Sequence, residues 1–176
     1  MAATHHAQNL KEDSKLFITT ALLQLLETHD FRNISITEVV QKAGTSRMAF
    51  YRNFVDLEQV LTEYYRPKFI DIFQKLDDTD ISQDKVQLIA TFFQTTTDDW
   101  LQAIRRDYEN ILFNIFAEQI ENYSDAHMNW LPDSTNRIYY NKFMSAGVFA
   151  IWREWLVRGQ QTPLADITTL IRALTK

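Results

Sequence analysis

Between Ser35 and Asn53 the chain crowds together hydroxyls, guanidinium groups and a phenol: Ser35, Thr45, Ser46, Arg47, Tyr51, Arg52 and Asn53, with Met48 among them. These are side chains for binding rather than for making bonds. Hydroxyls and arginines suit phosphate oxygens, and an arginine can also bridge O6 and N7 of a guanine in a major groove. Residues 31–54 hold four basic side chains (Arg32, Lys42, Arg47, Arg52) against one acid, Glu38, whereas residues 55–176 hold twelve against eighteen. A small basic patch on a chain of net charge −5 points to a polyanion met from one end.

Other chemistry is hard to find. The histidines His5, His6, His29 and His127 have no metal-ligand spacing, and there is no cysteine to supply a thiolate or a disulfide. No glycine-rich phosphate loop and no G-x-S-x-G elbow is present. The neighbouring carboxylates Asp98 and Asp99 point apart on a helix. Asp77-Asp78-Thr79-Asp80 has the look of a calcium loop, but Ile81 stands where an oxygen ligand is needed and the loop glycine is missing. It reads as a solvated turn. Neither catalysis, metal nor cofactor is expected.

The elements that would position the binding residues are legible from periodicity. Residues 1–10 read as a mobile polar tail. "SKLFITTALLQLLE", from Ser14 to Glu27, has the apolar spacing of a first helix. Ser35-Ile36-Thr37-Glu38 fits a capping box that opens a second helix running to Ala43. Gly44 stands where a left-handed C-cap residue is expected, and Thr45 or Ser46 can cap a third helix, "RMAFYRNF". Val39, Val40, Ala43, Phe50 and Phe54 should face inward, leaving Thr45 to Met48 and Tyr51 to Asn53 outside. Two short helices about a tight turn make a helix-turn-helix.

Asp56 can cap a fourth helix continuing towards Leu76, which Pro67 should kink or interrupt. Helical patterns follow over roughly 82–102, 105–123, 134–158 and 163–175, with Pro132 just before the third and Thr162-Pro163 as N-cap and N1 of the last. No segment alternates as a strand would. The N-terminus lacks the apolar region of a secretion signal and no run is long enough for a membrane span, so a cytoplasmic location without a membrane partner is expected.

The stretch "ISITEVVQKAGTSRMAFYRNFVDLEQVL" carries a family resemblance. It has a capped helix, Ala-Gly-x-Ser, a helix with x-x-Tyr-x-x-Phe and an acidic start to the fourth helix. Residues 14–61 resemble the N-terminal module of the TetR family of bacterial transcriptional regulators. The resemblance implies that Ser35, Thr45, Ser46, Arg47, Tyr51 and Asn53 face double-stranded DNA, Tyr51 gripping the backbone. Three positions depart from the family pattern: Met48 replaces a small residue, Thr45 a valine, and Leu57 a lysine that would touch phosphate.

The expected fold is therefore all-α. A three-helix helix-turn-helix module (residues 11–55) joins a larger body (56–176), eight or nine helices in all. The helix over 138–157 is apolar on too many sides for the surface of a monomer. With the last helix it is expected to form a homodimer interface through Tyr140, Met144, Gly147, Ile151, Trp155, Ile167, Leu170 and Ile171. Pairing would also double the DNA site on a palindrome. Aromatic residues are concentrated after residue 99, Trp130 and Phe149 among them. The resemblance implies an effector pocket in this body, and Trp100, Tyr108, Phe113, Phe116, Phe143 and Trp152 are candidates to line it. Arg105, Arg106 and His127 are candidates to meet an anionic effector. The implied function is a DNA-binding regulator, a repressor released from a palindromic operator by an unidentified small molecule. The alternative is a co-activator or protein-interaction module with weaker sequence-specific DNA binding, for which Met48 and Leu57 speak.

Overall fold

The computed structural model describes residues 2–78, 85–127 and 134–174, with side chains described for 12–76, 85–127 and 136–174. These residues form nine α-helices and no strand, so the all-α expectation holds. They are α1 (Ala2–Leu26), α2 (Ile36–Lys42), α3 (Arg47–Asn53), α4 (Leu57–Asp78) and α5 (Lys85–Thr95), then α6 (Thr97–Arg105), α7 (Glu109–His127), α8 (Ser134–Val157) and α9 (Leu164–Leu174). A single 3-10 turn, Phe31–Asn33, follows α1. Pro132, Trp130 and most of the Asp77–Ile81 turn lie outside the described residues.

Several boundaries differ from those the periodicity suggests. Helix α1 begins at Ala2, so residues 2–10, expected as a tail, are helical. Helix α4 runs on through Pro67. The proline ring lies on an exposed side, where the Glu63 carbonyl that loses its i+4 donor can turn to water, while Phe69, Ile72, Phe73 and Leu76 hold the second half in the core. The single pattern over 82–102 is two helices. At the break, Thr95, Thr96 and Thr97 all turn their hydroxyls onto carbonyls of the preceding turn, Thr96 Oγ1 reaching Phe92 O at 2.6 Å. Such back-bonding competes with the helix ladder. The last helix starts one residue late: Pro163 is its cap, its carbonyl accepting from the N–H of Asp166 at 3.0 Å.

Helices α1 to α3 close over the start of α4. Ile18, Leu22 and Leu26 of α1, Val39 and Val40 of α2, Phe50 of α3, and Leu57, Val60 and Leu61 of α4 are all buried in one cluster. Leu57 is therefore a core residue, which explains why no lysine stands there. The larger body wraps the rest of α4 with aromatic rings. Phe93 stacks between Trp100 (5.1 Å) and Trp152 (5.2 Å), Phe69 meets both Phe92 and Trp100 edge-on, and Phe73 meets Phe116. Ion pairs tie the layers: Arg66 to Glu118 between α4 and α7, Lys68 to Asp99 between α4 and α6, and Arg153 in a two-pronged grip on Glu109 between α8 and α7.

Helix α8 shows which of its two apolar stripes the chain itself covers. Val148, Trp152 and Trp155 are buried, and the Trp155 indole donates to Thr162 O at 2.7 Å. The other stripe is bare: Tyr139 is 71% and Phe143 64% exposed, with Ala146 and Ala150 in line. Leu170 and Leu174 of α9 are exposed as well.

Candidate nucleic-acid interface

The local signals around Ser35 to Phe54 are all realised. Ser35 and Glu38 form a reciprocal capping box: Ser35 Oγ accepts from the Glu38 N–H, and the Glu38 carboxylate accepts from the Ser35 N–H at 2.8 Å and hydroxyl at 2.7 Å. The Ser35 hydroxyl and backbone N–H hold the Glu38 carboxyl below the usual carboxylate range. Gly44 takes φ of +64°, a conformation that strains any residue with a Cβ, and reverses the chain. Ser46 then caps α3, its Oγ accepting from the Ala49 N–H at 3.1 Å. On α3, Phe50 points into the core and Phe54 closes it just past the last turn.

What remains outside is mostly, though not wholly, the expected set. Ser46, Arg47, Met48, Tyr51 and Arg52 are exposed together along α3. Arg47 has no partner among the described residues, and the Tyr51 ring stands edge-on against Phe50 at 5.5 Å, which fixes its direction. Arg52 lies back along the helix with Nη2 3.4 Å from the Met48 sulfur. Two members of the set are turned inward. Asn53 is half-buried, its amide donating to Ala49 O at 2.8 Å, and Thr45 is half-buried with its hydroxyl oxygen enclosed. Both leave one buried oxygen unpaired, Asn53 Oδ1 and Thr45 Oγ1. Ser35 is exposed at the start of α2, but its hydroxyl proton is already committed to Glu38.

Beyond the packing of α1 to α3 on α4 and the Lys15–Glu63 ion pair, head and body also meet around Arg106. The Phe31 N–H donates to Arg106 O at 2.8 Å, Arg106 Nη2 donates to Glu27 O at 2.5 Å, and the same guanidinium lies 3.6 Å from Asp30. Below this the Phe31 ring packs on Tyr108, whose hydroxyl meets that of Tyr65 of α4 at 3.3 Å in full burial. Burial pushes both phenols up, that of Tyr108 to about 12. Arg106 is thus a structural link, while Arg105 donates to Leu101 O and His127 stacks on Tyr123; the three do not converge on a site for an anion.

Of the six aromatic candidates for an effector pocket, four meet in one ring cluster and two do not. Trp100, Phe116 and Trp152 pack around Phe93, and Phe113 joins them through Phe149; Tyr108 belongs to the head contact, and Phe143 stands outside. Of the expected interface set, Trp155 and Ile171 are buried within the chain, Leu170 is exposed and Tyr140, Met144, Gly147, Ile151 and Ile167 are half-buried; the most exposed apolar stripe of α8 runs through Tyr139, Phe143 and Ala146. Of the six aromatic candidates, Phe113 and Phe143 border open space. A cleft of about 370 Å³ separates α4 from α5, and a smaller one of about 190 Å³ lies between α7 and α8. Sequence reasoning missed the larger cleft. Its signal was Thr91 and Thr95 one turn apart with Thr96 next in the chain, but threonine on a helix usually means only a solvated face.

An all-helical protein with a helix-turn-helix head, the second helix of which keeps a bare polar side, is the class that this arrangement defines. Over 163 residues the chain is 23% identical to the HTH-type dhaKLM operon transcriptional activator DhaS of Lactococcus lactis subsp. lactis (strain IL1403), covering 86% of this chain and 84% of that protein. Among solved structures it resembles the dihydroxyacetone kinase operon activator DhaS with a TM-score of 0.52 at 19% identity, over 92% of this chain and 93% of that one, a likeness of fold. No family model matches the chain. The similarity is thus to transcriptional regulators, and it runs across head and body alike. No helix among the described residues is long and apolar enough to cross a membrane.

Proposed function

We propose that this chain is a cytoplasmic, homodimeric DNA-binding transcriptional regulator of TetR type. The carrying observation is the bare side of α3, where Ser46, Arg47, Met48, Tyr51 and Arg52 stand exposed on a helix whose other side is locked in the core. The match to a named HTH-type activator supports the same reading. That relative's name favours activation over the repression expected from family resemblance.

Head (11–55) and body (56–176) then divide the work. One seven-residue helix reads few base pairs. The exposed stripe of α8 with Leu170 and Leu174 supplies a two-fold partner surface, and pairing sets two copies of α3 on successive grooves, roughly 34 Å apart. A palindromic operator is the natural target. An effector bound in the body would act through α4 and the Phe31–Tyr108–Tyr65 contact.

Gel shift against the DNA flanking the chain's own gene tests this, with random DNA as the reference at matched salt. Arg47→Ala should weaken specific binding by about 1–3 kcal/mol, and Tyr51→Phe by less. Binding unchanged in both variants, or no preference over random DNA, would remove the assignment.

A further inference from the structure

We infer that the cleft between α7 and α8 binds a small amino acid in its zwitterionic form. Its volume of about 190 Å³ lies below the roughly 300–1,000 Å³ of drug-sized sites, which suits a molecule of few heavy atoms. The α7 wall offers the Phe113 ring and the carboxylates of Glu118 and Glu121; the α8 wall offers Asn141, Lys142 and Ser145.

Asn141 is the group that asks for a ligand. The residue is only 8% exposed, and its Oδ1 is enclosed without a hydrogen-bond partner. A buried amide left unpaired costs free energy, and native chains rarely keep one without an occupant or a use. One turn on, Ser145 is buried too and donates its hydroxyl to Asn141 O at 2.7 Å, so its oxygen can only accept from a ligand. The buried α8 wall therefore presents two acceptors, plus the N–H groups of the Asn141 amide.

The charges complete the choice. Glu118 is already taken by Arg66 of α4 at 2.8 Å. Glu121 and Lys142 are exposed and have no ion-pair partner among the described residues, so one carboxylate and one ammonium stand ready on facing walls. A simple anion meets Lys142 but leaves Asn141 Oδ1 without a donor. A simple alkylammonium meets Glu121 and Oδ1 but leaves Lys142 and the amide N–H groups unanswered. A hydrocarbon covers the Asn141 amide with nothing to pair it. Neutral hydroxyls can bond to all of these groups, but without the added strength of a hydrogen bond between two charged partners. A zwitterion answers each of them. Its three ammonium N–H groups suit Asn141 Oδ1, Ser145 Oγ and Glu121, its carboxylate accepts from Lys142 and the Asn141 amide, and a short side chain rests on Phe113.

The site also has a way to reach α4. Arg66, which holds Glu118, follows Tyr65 directly in the chain, and the Tyr65 hydroxyl meets that of Tyr108 at the head contact. A ligand ammonium beside Glu118 competes with Arg66 for that carboxylate. Binding stands on the cleft alone; its role as the effector site rests on the regulatory reading above.

Calorimetric titration of the full chain with glycine, L-alanine and L-serine tests the site, with propionate, ethylamine and glycerol as anionic, cationic and neutral counterparts. At least one amino acid should bind saturably and more tightly than all three counterparts. Asn141→Leu, which removes the amide at similar volume, should weaken it by about tenfold or more while the melting temperature holds or rises. Glu121→Gln and Lys142→Gln, both at exposed positions, should each weaken it severalfold with the fold intact. If Asn141→Leu does not fold, these two variants decide on their own. No binding of any of the three amino acids, binding indifferent to Asn141→Leu or to both exposed substitutions, or a counterpart that binds as tightly would overturn the inference. Gel shift without ligand keeps the two readings apart. Arg47-dependent DNA binding without amino-acid binding removes this site and leaves the regulator; amino-acid binding without DNA binding does the reverse.

Discussion

Two of the helix faces left bare among the described residues carry unequal information. On α3 the exposed groups are polar and charged, with Met48 and Tyr51 as the exceptions; on α8 and α9 they are Tyr139, Phe143, Leu170 and Leu174. Water solvates arginine and serine well, so an uncovered polar face costs little and is common. Large apolar side chains side by side in water cost free energy in proportion to their area, and contiguous patches mark contacts. The bare face of α8 therefore argues for a partner on its own, whereas that of α3 needs the helix-turn-helix geometry behind it to mean anything.

The two regions also differ in what holds them. Short-range devices shape the head: a capping box, a left-handed glycine and a serine cap within twelve residues, Ser35 to Ser46. The body depends on rings that meet across helices. Trp152→Ala should therefore have the largest effect, about 3–5 kcal/mol of stability in urea unfolding, because it empties the stack on Phe93. A loss below 1 kcal/mol would mean that the stack is not what supports the body.

Next in size is an alkaline effect at the junction of the two regions. Burial raises the Tyr108 phenol from 10.0 to about 12, and that of Tyr65 is raised too. The fold favours the protonated form, so this contribution is intact below pH 10 and is lost as pH climbs towards 12. It amounts to roughly 3 kcal/mol at order of magnitude. Unfolding followed against pH should show the fall in wild type, and Tyr65→Phe with Tyr108→Phe should flatten it.

On the outer apolar face, Phe143→Glu should raise the dimer dissociation constant roughly a hundredfold, ~2.7 kcal/mol, while monomer stability changes by no more than about 0.5 kcal/mol. Sedimentation of wild type as a monomer at micromolar concentration would break the contrast between the faces. The smallest effect belongs to the head: Ser46→Ala should cost about 1 kcal/mol through loss of the α3 cap. If it matched Trp152→Ala, the distinction between local and long-range support would be wrong.

The same distinction explains what could be read in advance. Capping and turn signals act within four or five residues, so α2, Gly44 and α3 were legible to within a residue or two. In α8, periodicity showed apolar residues on two stripes but not which one the chain would cover; that depends on where α7 and α9 lie. Asn53 was assigned outward from its spacing, yet its amide found the Ala49 carbonyl one turn back, a choice spacing does not encode. Most of the aromatic pocket candidates pack against other rings, for a related reason. Large rings fill space well, so aromatic density marks where a body is solid, and the larger cleft lies instead along threonines and paired charges.

The proline in the middle of α4 has a mechanical consequence. This helix is a single shaft, one end embedded among α1 to α3 and the other walling the larger cleft, with one rung of its ladder absent at Pro67. Flexing at that peptide breaks no existing bond, so the two ends can alter their mutual angle more cheaply than the ends of an unbroken rod. A stiffer shaft, as in Pro67→Ala, would transmit less bend for the same push.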